Sequence, residues 1–203
     1  PYVLPTVMTC NEVKEILKYL YKLRADNPDT GGYAYKAQTR DIAVVELLFA
    51  TGIRVSELCE LSCDAVDLKQ ATIKVFGKGS KERVIQICSV EVLKILRQYQ
   101  RLFAPSKCFF INRLGNRLSS QSVRLLIKRC REEIGIGKKI TPHTFRHTFA
   151  TLLLEEDVDI KYIQNLLGHS SITTTQIYTH VNMNKQKKIL SSKHPRKKME
   201  MEE

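Results

Sequence analysis

Residues 72–88 read TIKVFGKGSKERVIQIC and contain the clearest β pattern of the chain. Two runs rich in Val and Ile, at 72–76 and 83–88, flank the turn sequence Gly77-Lys78-Gly79-Ser80. Such runs on both sides of a glycine-rich turn are typical of a β-hairpin. We therefore predict two antiparallel strands, with Cys108-Phe109-Phe110 as a candidate short third strand.

Helical patterns dominate outside this hairpin. Thr9-Cys10-Asn11-Glu12 has the form of a capping box, and it opens an amphipathic helix. The apolar run at 42–50 predicts a second helix that Gly52 ends, and a short helix is expected to begin near Arg54. Further helices are predicted at 89–103, at 119–133, from Thr141-Pro142 onward and at 159–168. The predicted fold class is therefore mostly α with a small antiparallel β-sheet (α+β).

The remaining segments carry weaker structural signals. Residues 25–36 are dense in turn formers and predict a loop or a mobile insertion. A polar, Lys-rich helix is expected after Tyr178, and the basic tail at 193–198 is expected to be disordered. The amino end, residues 1–5, has no initiator Met and no leader pattern, so we expect a piece of a longer protein.

The charge of the chain favours a polyanionic partner. Lys and Arg number 33 against 21 Asp and Glu, which gives a net charge of +12. Residues 181–203 contribute +4 of this, so the body is basic as well. Nucleic acid is one interpretation, and a merely soluble basic protein is the other. No apolar run approaches the ~20 residues of a membrane span, so a soluble protein without membrane partners is predicted.

Six cysteines lie along the chain without a Cys-x-x-Cys pair. Packing of these side chains is the favoured interpretation, ahead of a metal or redox role. Their number and spacing fit a reducing compartment, so we expect a cytoplasmic protein.

The candidate nucleophile is Tyr178, which lies in a stretch too polar for a core helix. A phenol with a pKa of about 10 reacts only where several cations stabilise its anion. His143 and Arg146 are three residues apart on a predicted helix, so they are expected to share a face. Arg146 would hold two phosphate oxygens and His143 would transfer a proton. His147, on the same helix, is predicted to face the core.

Three further candidates each have a structural alternative. Arg54 follows a helix end and either projects into a cleft or pairs with Glu57. Lys78 lies between two glycines and either enters a substrate groove or serves solubility. His169 follows Gly168 and either belongs to the site or interacts with a helix end.

Taken together, four segments in this order resemble the tyrosine recombinase family. They are GIRVSEL (52–58), GKGSKER (77–83), HTFRHTFAT (143–151) and LGHSS (167–171), with Tyr178 nine residues beyond His169. The resemblance covers roughly residues 1–185. It implies the tyrosine recombinase catalytic-domain fold at 1–180 and a basic C-terminal segment at 181–203. It also implies that the N-terminal core-binding domain of the family lies outside this chain.

The resemblance also implies roles for six catalytic residues and one supporting residue. Tyr178 would attack a DNA phosphodiester, giving a 3'-phosphotyrosyl bond and a free 5'-hydroxyl, without metal, cofactor or ATP. Arg54 and Arg146 would clamp the non-bridging oxygens, and Lys78 would protonate the leaving oxygen. The remaining implied roles are proton transfer at the nucleophile for His143, a phosphate hydrogen bond for His169 and orientation of these groups for Glu57.

The implied partner is double-stranded DNA, which a homotetramer would bind, whereas the fragment alone would be monomeric. Accessory DNA-bending proteins and association with the nucleoid are also expected. Candidate DNA contacts are Lys81, Arg83, Arg124 and Lys128. Residues 182–190 either pack on a neighbouring protomer or form a frayed tail.

Three other readings stay open at this point. They are a type IB topoisomerase, a DNA-binding module without catalysis, and a zinc site formed by His143, His147 and His169.

Overall fold

A computed structural model describes residues 6–76, 82–168 and 187–199 of the chain. Seven α-helices are complete within these ranges: α1 Cys10–Ala25, α2 Tyr33–Thr51, α3 Val55–Glu60, α4 Val90–Phe103, α5 Ser120–Glu133, α6 Pro142–Glu155 and α7 Ile160–Leu167. The strands are β1 Val66–Asp67, β2 Thr72–Phe76 and β3 Glu82–Gln86. Short 3-10 helices occur at Cys63–Ala65 and Pro195–Lys198, and residues 187–193 are helical. The predicted fold class is confirmed.

The predicted helix ends are confirmed by their caps. The Thr9 hydroxyl accepts the Glu12 N–H at 3.1 Å, and the Glu12 carboxylate accepts the Thr9 N–H at 2.7 Å, which completes the capping box. Gly52 and Gly168 end α2 and α7 with φ of 62° and 65°. Only a residue without Cβ adopts this left-handed conformation at little cost. Both glycines border the candidate site.

The antiparallel pairing of the two predicted strands is confirmed, the turn between them lies outside the described residues, and the predicted third strand is wrong. The sheet has the antiparallel order β1-β2-β3, with Ile73 opposite both Val66 and Ile85. Cys108 forms only an isolated bridge with Ser62. The backbone of the neighbouring Phe109 donates to Leu61 and accepts from the Tyr99 hydroxyl, so the segment is held by α4 and by the end of α3. β1 takes the third position instead.

The predicted loop at 25–36 is also too long, because α1 ends at Ala25 and α2 begins at Tyr33. The Asp29 carboxylate accepts the N–H groups of Gly31 and Gly32 at 3.2 and 2.8 Å, which organises the turn before α2. Tyr33 packs edge-on against Phe103, with ring centroids 6.4 Å apart. Aromatic packing therefore extends the helix into a stretch whose composition suggested a loop.

Helix α2 forms the centre of the molecule, and residues 42–51 are all buried. Helices α1, α4 and α6 pack around it. The carboxyl end of α2 leads directly into Gly52 and Arg54, so this buried helix positions the first candidate arginine. No helix in the described part of the chain has the length and apolar character needed to cross a membrane.

The predicted disorder of the basic tail is wrong for residues 194–199. His194 and Arg196 are 2% and 6% exposed, and Met199 is also buried. The Arg196 guanidinium pairs with Glu46 of α2 at 3.1 and 3.2 Å. The tail looks solvated by its composition, and its order is explained by this distant buried acid together with the contact of His194 Nε2 with the Ala50 carbonyl at 2.6 Å. Leu190, part of the patch predicted to reach a neighbouring protomer, packs in this chain's own second hydrophobic cluster.

Candidate active site

Arg54 lies at the junction of α2 and α3. Gly52 turns the chain, Ile53 is buried, and Arg54 is the N-cap of α3 in an extended conformation. Its backbone N–H and its Nη1 donate to the two Glu57 oxygens at 2.9 and 2.8 Å. The Arg54 side chain is nevertheless 32% exposed. The pairing with Glu57 is therefore confirmed, and the role of the partly exposed Arg54 in a substrate cleft stays a prediction.

Arg83 completes the environment of Glu57. From β3, its Nη1 and Nη2 donate to Glu57 Oε1 and Oε2 at 2.7 and 2.8 Å. Burial alone would raise the pKa of Glu57, but the hydrogen bonds from Arg83 and Arg54 outweigh burial and lower the pKa to about 2. Arg83 was a candidate DNA contact. Its guanidinium pairs with Glu57 and its side chain is 15% exposed, and a contact with DNA stays a prediction.

Arg146 reaches the same place from α6. Its Nη1 donates to the carbonyl of Gly52 at 2.8 Å, and its Nη2 donates to the carbonyl of Leu167 at 2.6 Å. Arg54 Nη2 donates to the next carbonyl, that of Gly168, at 3.3 Å. Two consecutive carbonyls at the end of α7 thus hold both guanidiniums. The structure brings together the two arginines that the sequence predicted as partners.

This group of side chains carries excess positive charge. Burial, and then the nearby charges of Arg54 and Arg83, lower the pKa of Arg146 to about 10, and Glu57 opposes this effect. Three guanidiniums therefore face one carboxylate in this part of the described structure. An anion beside these side chains gains attraction in a medium of reduced dielectric constant.

His143 and His147 lie on the exposed side of α6. Both are exposed, and their rings stack with centroids 6.3 Å apart. The prediction that His147 faces the core is wrong, because Phe145 and Phe149 fill that side of the helix. Burial, followed by His143 and Arg146, lowers the pKa of His147. His143 is exposed and Arg146 is buried, so these two lie at different depths.

Four predicted site residues lie outside the described residues: Lys78, Lys81, His169 and Tyr178. Their roles stay predictions. The two segments that contain them begin directly after β2 and after Gly168.

Helix α5 presents the two other candidate DNA contacts. Arg124 and Lys128 are both exposed, and the Lys128 ammonium lies 3.9 Å from the Glu132 carboxylate. Contact with DNA and a solvated basic face both fit this arrangement, so these contacts stay predictions.

The metal alternatives gain no support from the described residues. No group of three or more His, Cys, Asp or Glu side chains is arranged to hold a metal ion there. The six cysteines are free, and two of them, Cys59 and Cys130, are buried.

Sequence reasoning missed two parts of the site. Backbone carbonyls of Gly52, Leu167 and Gly168 hold the arginines, and carbonyls carry no residue signature. The bond between Arg83 and Glu57 joins residues from a strand and a helix, so no local spacing predicts it. The only available signal was the pair of glycines that end α2 and α7.

The architecture and the paired arginines define the class of tyrosine recombinase catalytic domains, and comparison with known proteins agrees. Residues 6–185 match the phage integrase family, so the chain belongs to that family. A tyrosine recombinase from Agathobacter rectalis is 50% identical over 201 residues, which are 97% of this chain and 65% of that protein.

Solved structures share the fold. The crystal structure of XerA recombinase has a TM-score of 0.71 and 32% identity, with 91% of this chain and 65% of that chain covered. XerH site-specific recombinase, in its post-cleavage complex with a palindromic difH substrate, has a TM-score of 0.72 and 25% identity, with 93% and 53% covered. The chain thus spans less than two thirds of the length of these relatives.

Proposed function

We propose that the chain is the catalytic part of a site-specific recombinase that cleaves and rejoins double-stranded DNA through a phosphotyrosyl bond at Tyr178. One observation carries the proposal. Arg54 and Arg146 converge on adjacent carbonyls at the end of α7, with three guanidiniums facing one carboxylate. A phosphodiester supplies the negative charge that this group of side chains lacks.

The two arginines suit a transition state in which negative charge builds on phosphate oxygens. Carbonyls and Glu57 fix their guanidiniums before substrate arrives, so little reorganisation is needed when charge develops. A guanidinium does not release a proton at neutral pH, whereas an ammonium is able to. In this proposal Lys78 therefore protonates the leaving oxygen, and the arginines remain charged throughout.

The steps balance without an outside energy source. The Tyr178 oxygen attacks phosphorus, the bond from phosphorus to the 5'-oxygen breaks, and Lys78 donates a proton to that oxygen. The exposed His143 assists removal of the tyrosine proton, and His169 donates a hydrogen bond to the phosphate. For rejoining, a 5'-hydroxyl gives its proton to the neutral Lys78 amine and attacks phosphorus, the bond to Tyr178 breaks, and the phenol regains its proton. The phosphoryl bond is conserved, so neither ATP nor a cofactor enters the proposal.

DNA binding is expected to depend mainly on phosphates. The net charge of +12 supports electrostatic binding to DNA, with Lys81, Arg124 and Lys128 as candidate contacts. This chain spans only part of its relatives, so we expect weak binding with a steep salt dependence. Tetramer formation on DNA, accessory DNA-bending proteins and association with the nucleoid stay predictions.

The test is covalent capture on nicked suicide duplexes with a randomised centre, in which the cleaved strand diffuses away. The chain is expected to form a covalent adduct that mass spectrometry maps to Tyr178. Tyr178→Phe should abolish the adduct and leave DNA binding nearly intact. Tyr19→Phe, on α1, is the matched control and should cleave normally. Adducts that survive Tyr178→Phe would refute the assignment.

A second measurement separates recombination from relaxation of a single duplex, the type IB topoisomerase alternative. Joining of strands from two different duplexes supports a recombinase. Relaxation of a supercoiled circle without strand exchange would contradict it.

A further inference from the structure

Two carbonyls at the end of α7 accept hydrogen bonds from Arg54 and Arg146. Arg83 donates instead to the nearby Glu57 carboxylate, through both of its terminal nitrogens. We propose that Arg83 is a positioning residue, which fixes Glu57 so that Glu57 in turn fixes Arg54 for the phosphate. The inference rests on the proposed function and deepens it, because it names a further residue on which cleavage depends.

The hydrogen bonds of Glu57 carry the first step. Its two oxygens accept four bonds, two from Arg54 and two from Arg83, all between 2.7 and 2.9 Å. An Arg54–Glu57 pair alone would join residues three apart, one of them 32% exposed, and such partly exposed pairs order side chains weakly. The fork of Arg83 approaches from another element and fixes both oxygens at once. The carboxylate is then held from two directions.

The packing of Arg83 carries the second step. Gly168, whose carbonyl accepts Arg54 Nη2, lies directly against the Arg83 side chain. A Cβ placed on Gly168 would come within 2.9 Å of Arg83 Nη1 and 3.0 Å of its Cδ. Arg83 therefore occupies the space between Glu57 and the turn that holds Arg54. Its position fixes two of the groups that Arg54 contacts.

The geometry requires an arginine at this position. Arg83 Nε is buried and has no hydrogen-bond partner among the described residues, so the orientation of the guanidinium is set by Glu57. A lysine ammonium is a point charge and cannot contact both oxygens in a planar fork. Arg83→Lys thus preserves the charge and removes the positioning.

The test compares Arg83→Lys with Arg40→Lys in the full chain. Arg40 is the matched control, because it also pairs with a carboxylate, Asp41, and its side chain is 13% exposed against 15% for Arg83. Adduct formation is measured under single-turnover conditions, and DNA affinity is measured separately. We expect Arg83→Lys to slow adduct formation about 100-fold, as a misplacement of ~1 Å does, with DNA affinity unchanged. Arg40→Lys should change neither.

A readout independent of cleavage is the exchange with solvent of the Arg54 backbone N–H, which donates to Glu57 Oε2, followed by nuclear magnetic resonance. We expect this exchange to accelerate about tenfold or more in Arg83→Lys and to stay unchanged in Arg40→Lys, because local opening of the Arg54 contacts becomes easier. A merely structural role would lower the melting temperature of both variants equally and leave the Arg54 signal alone.

The outcomes separate the two proposals. If the wild type forms no adduct at Tyr178, the proposed function fails, and the Arg54 signal still decides the role of Arg83. If the wild type forms the adduct and Arg83→Lys matches both its rate and its Arg54 exchange, only the positioning inference is overturned. Equal losses of DNA affinity and of rate would show that Arg83 binds DNA, which also overturns it.

Discussion

Two buried carboxylates in this molecule are each held by an arginine from a distant segment, and they serve different ends. The Glu57 cluster consists of Glu57, Arg54 and Arg83. The Glu46 cluster consists of Glu46, Arg196 and Tyr21, whose hydroxyl donates to Glu46 Oε1 at 3.0 Å. In both, a carboxylate on one element fixes the guanidinium of another.

The clusters differ in exposure and in charge balance. Glu46 and Arg196 have side chains 0% and 6% exposed, and the third partner is a neutral phenol whose pKa is raised by burial and then by Glu46. In the Glu57 cluster, Arg54 is 32% exposed, and Arg146 adds a further positive charge nearby. A closed, balanced pair holds elements together. An open cluster with excess positive charge can receive an anion.

The Glu46 cluster gives the largest expected change in stability. Arg196→Ala leaves Glu46 buried without its cationic partner, which is expected to lower the free energy of unfolding by about 3–5 kcal/mol. Urea denaturation measures this. Lys197→Ala, at the exposed neighbouring position, is the control and should change stability by less than about 0.5 kcal/mol. Equal effects of the two changes would show that the tail is not docked in solution.

Arg146→Ala tests whether the region of the Glu57 cluster serves cleavage more than stability. Cleavage should slow by about 100-fold or more, since an interaction of ~3 kcal/mol with the transition state is lost. Stability should fall less than in Arg196→Ala, because the neighbouring arginines already disfavour the charge of Arg146. Adduct kinetics and urea denaturation measure the two effects. Arg101→Ala, exposed on α4, is the control. A normal cleavage rate would remove Arg146 from the site.

Acid titration sharpens the comparison further. The pKa of Glu57 is lowered from 4.5 to about 2, so its ionised form stabilises the fold fully above pH 4.5. This contribution is expected to disappear as the pH falls from 4.5 towards 2. Denaturation measured across this window should show a decline that is reduced in Glu57→Gln. Glu60→Gln, exposed on the same helix, should keep the decline. An unchanged profile in Glu57→Gln would contradict the assignment.

Local signals in the sequence predicted much of this molecule. The capping box at Thr9, the glycine ends of α2 and α7 and the β-hairpin are set by neighbouring residues, and so they were visible in the chain itself. The motifs around Arg54 and Arg146 also indicated that these two side chains act together. Each of these predictions needed only a few adjacent positions.

Long-range pairs were not predictable in the same way. Arg83 looked like a DNA contact and Arg196 like part of a solvated tail, because a basic residue does not show which acid it meets. Glu57 and Glu46 lie on other elements, and only the folded chain brings them within hydrogen-bond distance. His147 was misplaced for a related reason, since the two phenylalanines on α6 already fill the core.

Gly168 offers the finest test of the difference between the clusters, because it touches only the Glu57 side. In Gly168→Ala, the left-handed φ of 65° becomes costly by about 1 kcal/mol, and the new Cβ displaces Arg83. Gly135→Ala is the matched control, because Gly135 has a φ of 72° and nothing within 4 Å of its Cβ position. Both variants incur the backbone cost, and the unfolding free energy should fall further in Gly168→Ala, because the bonds between Arg83 and Glu57 are also disturbed. Only Gly168→Ala should also slow adduct formation, since only this change disturbs the hydrogen bonds from Arg83 to Glu57. If both variants cleave alike, Arg83 tolerates the displacement, and the Glu57 cluster is less constrained than its four short hydrogen bonds indicate.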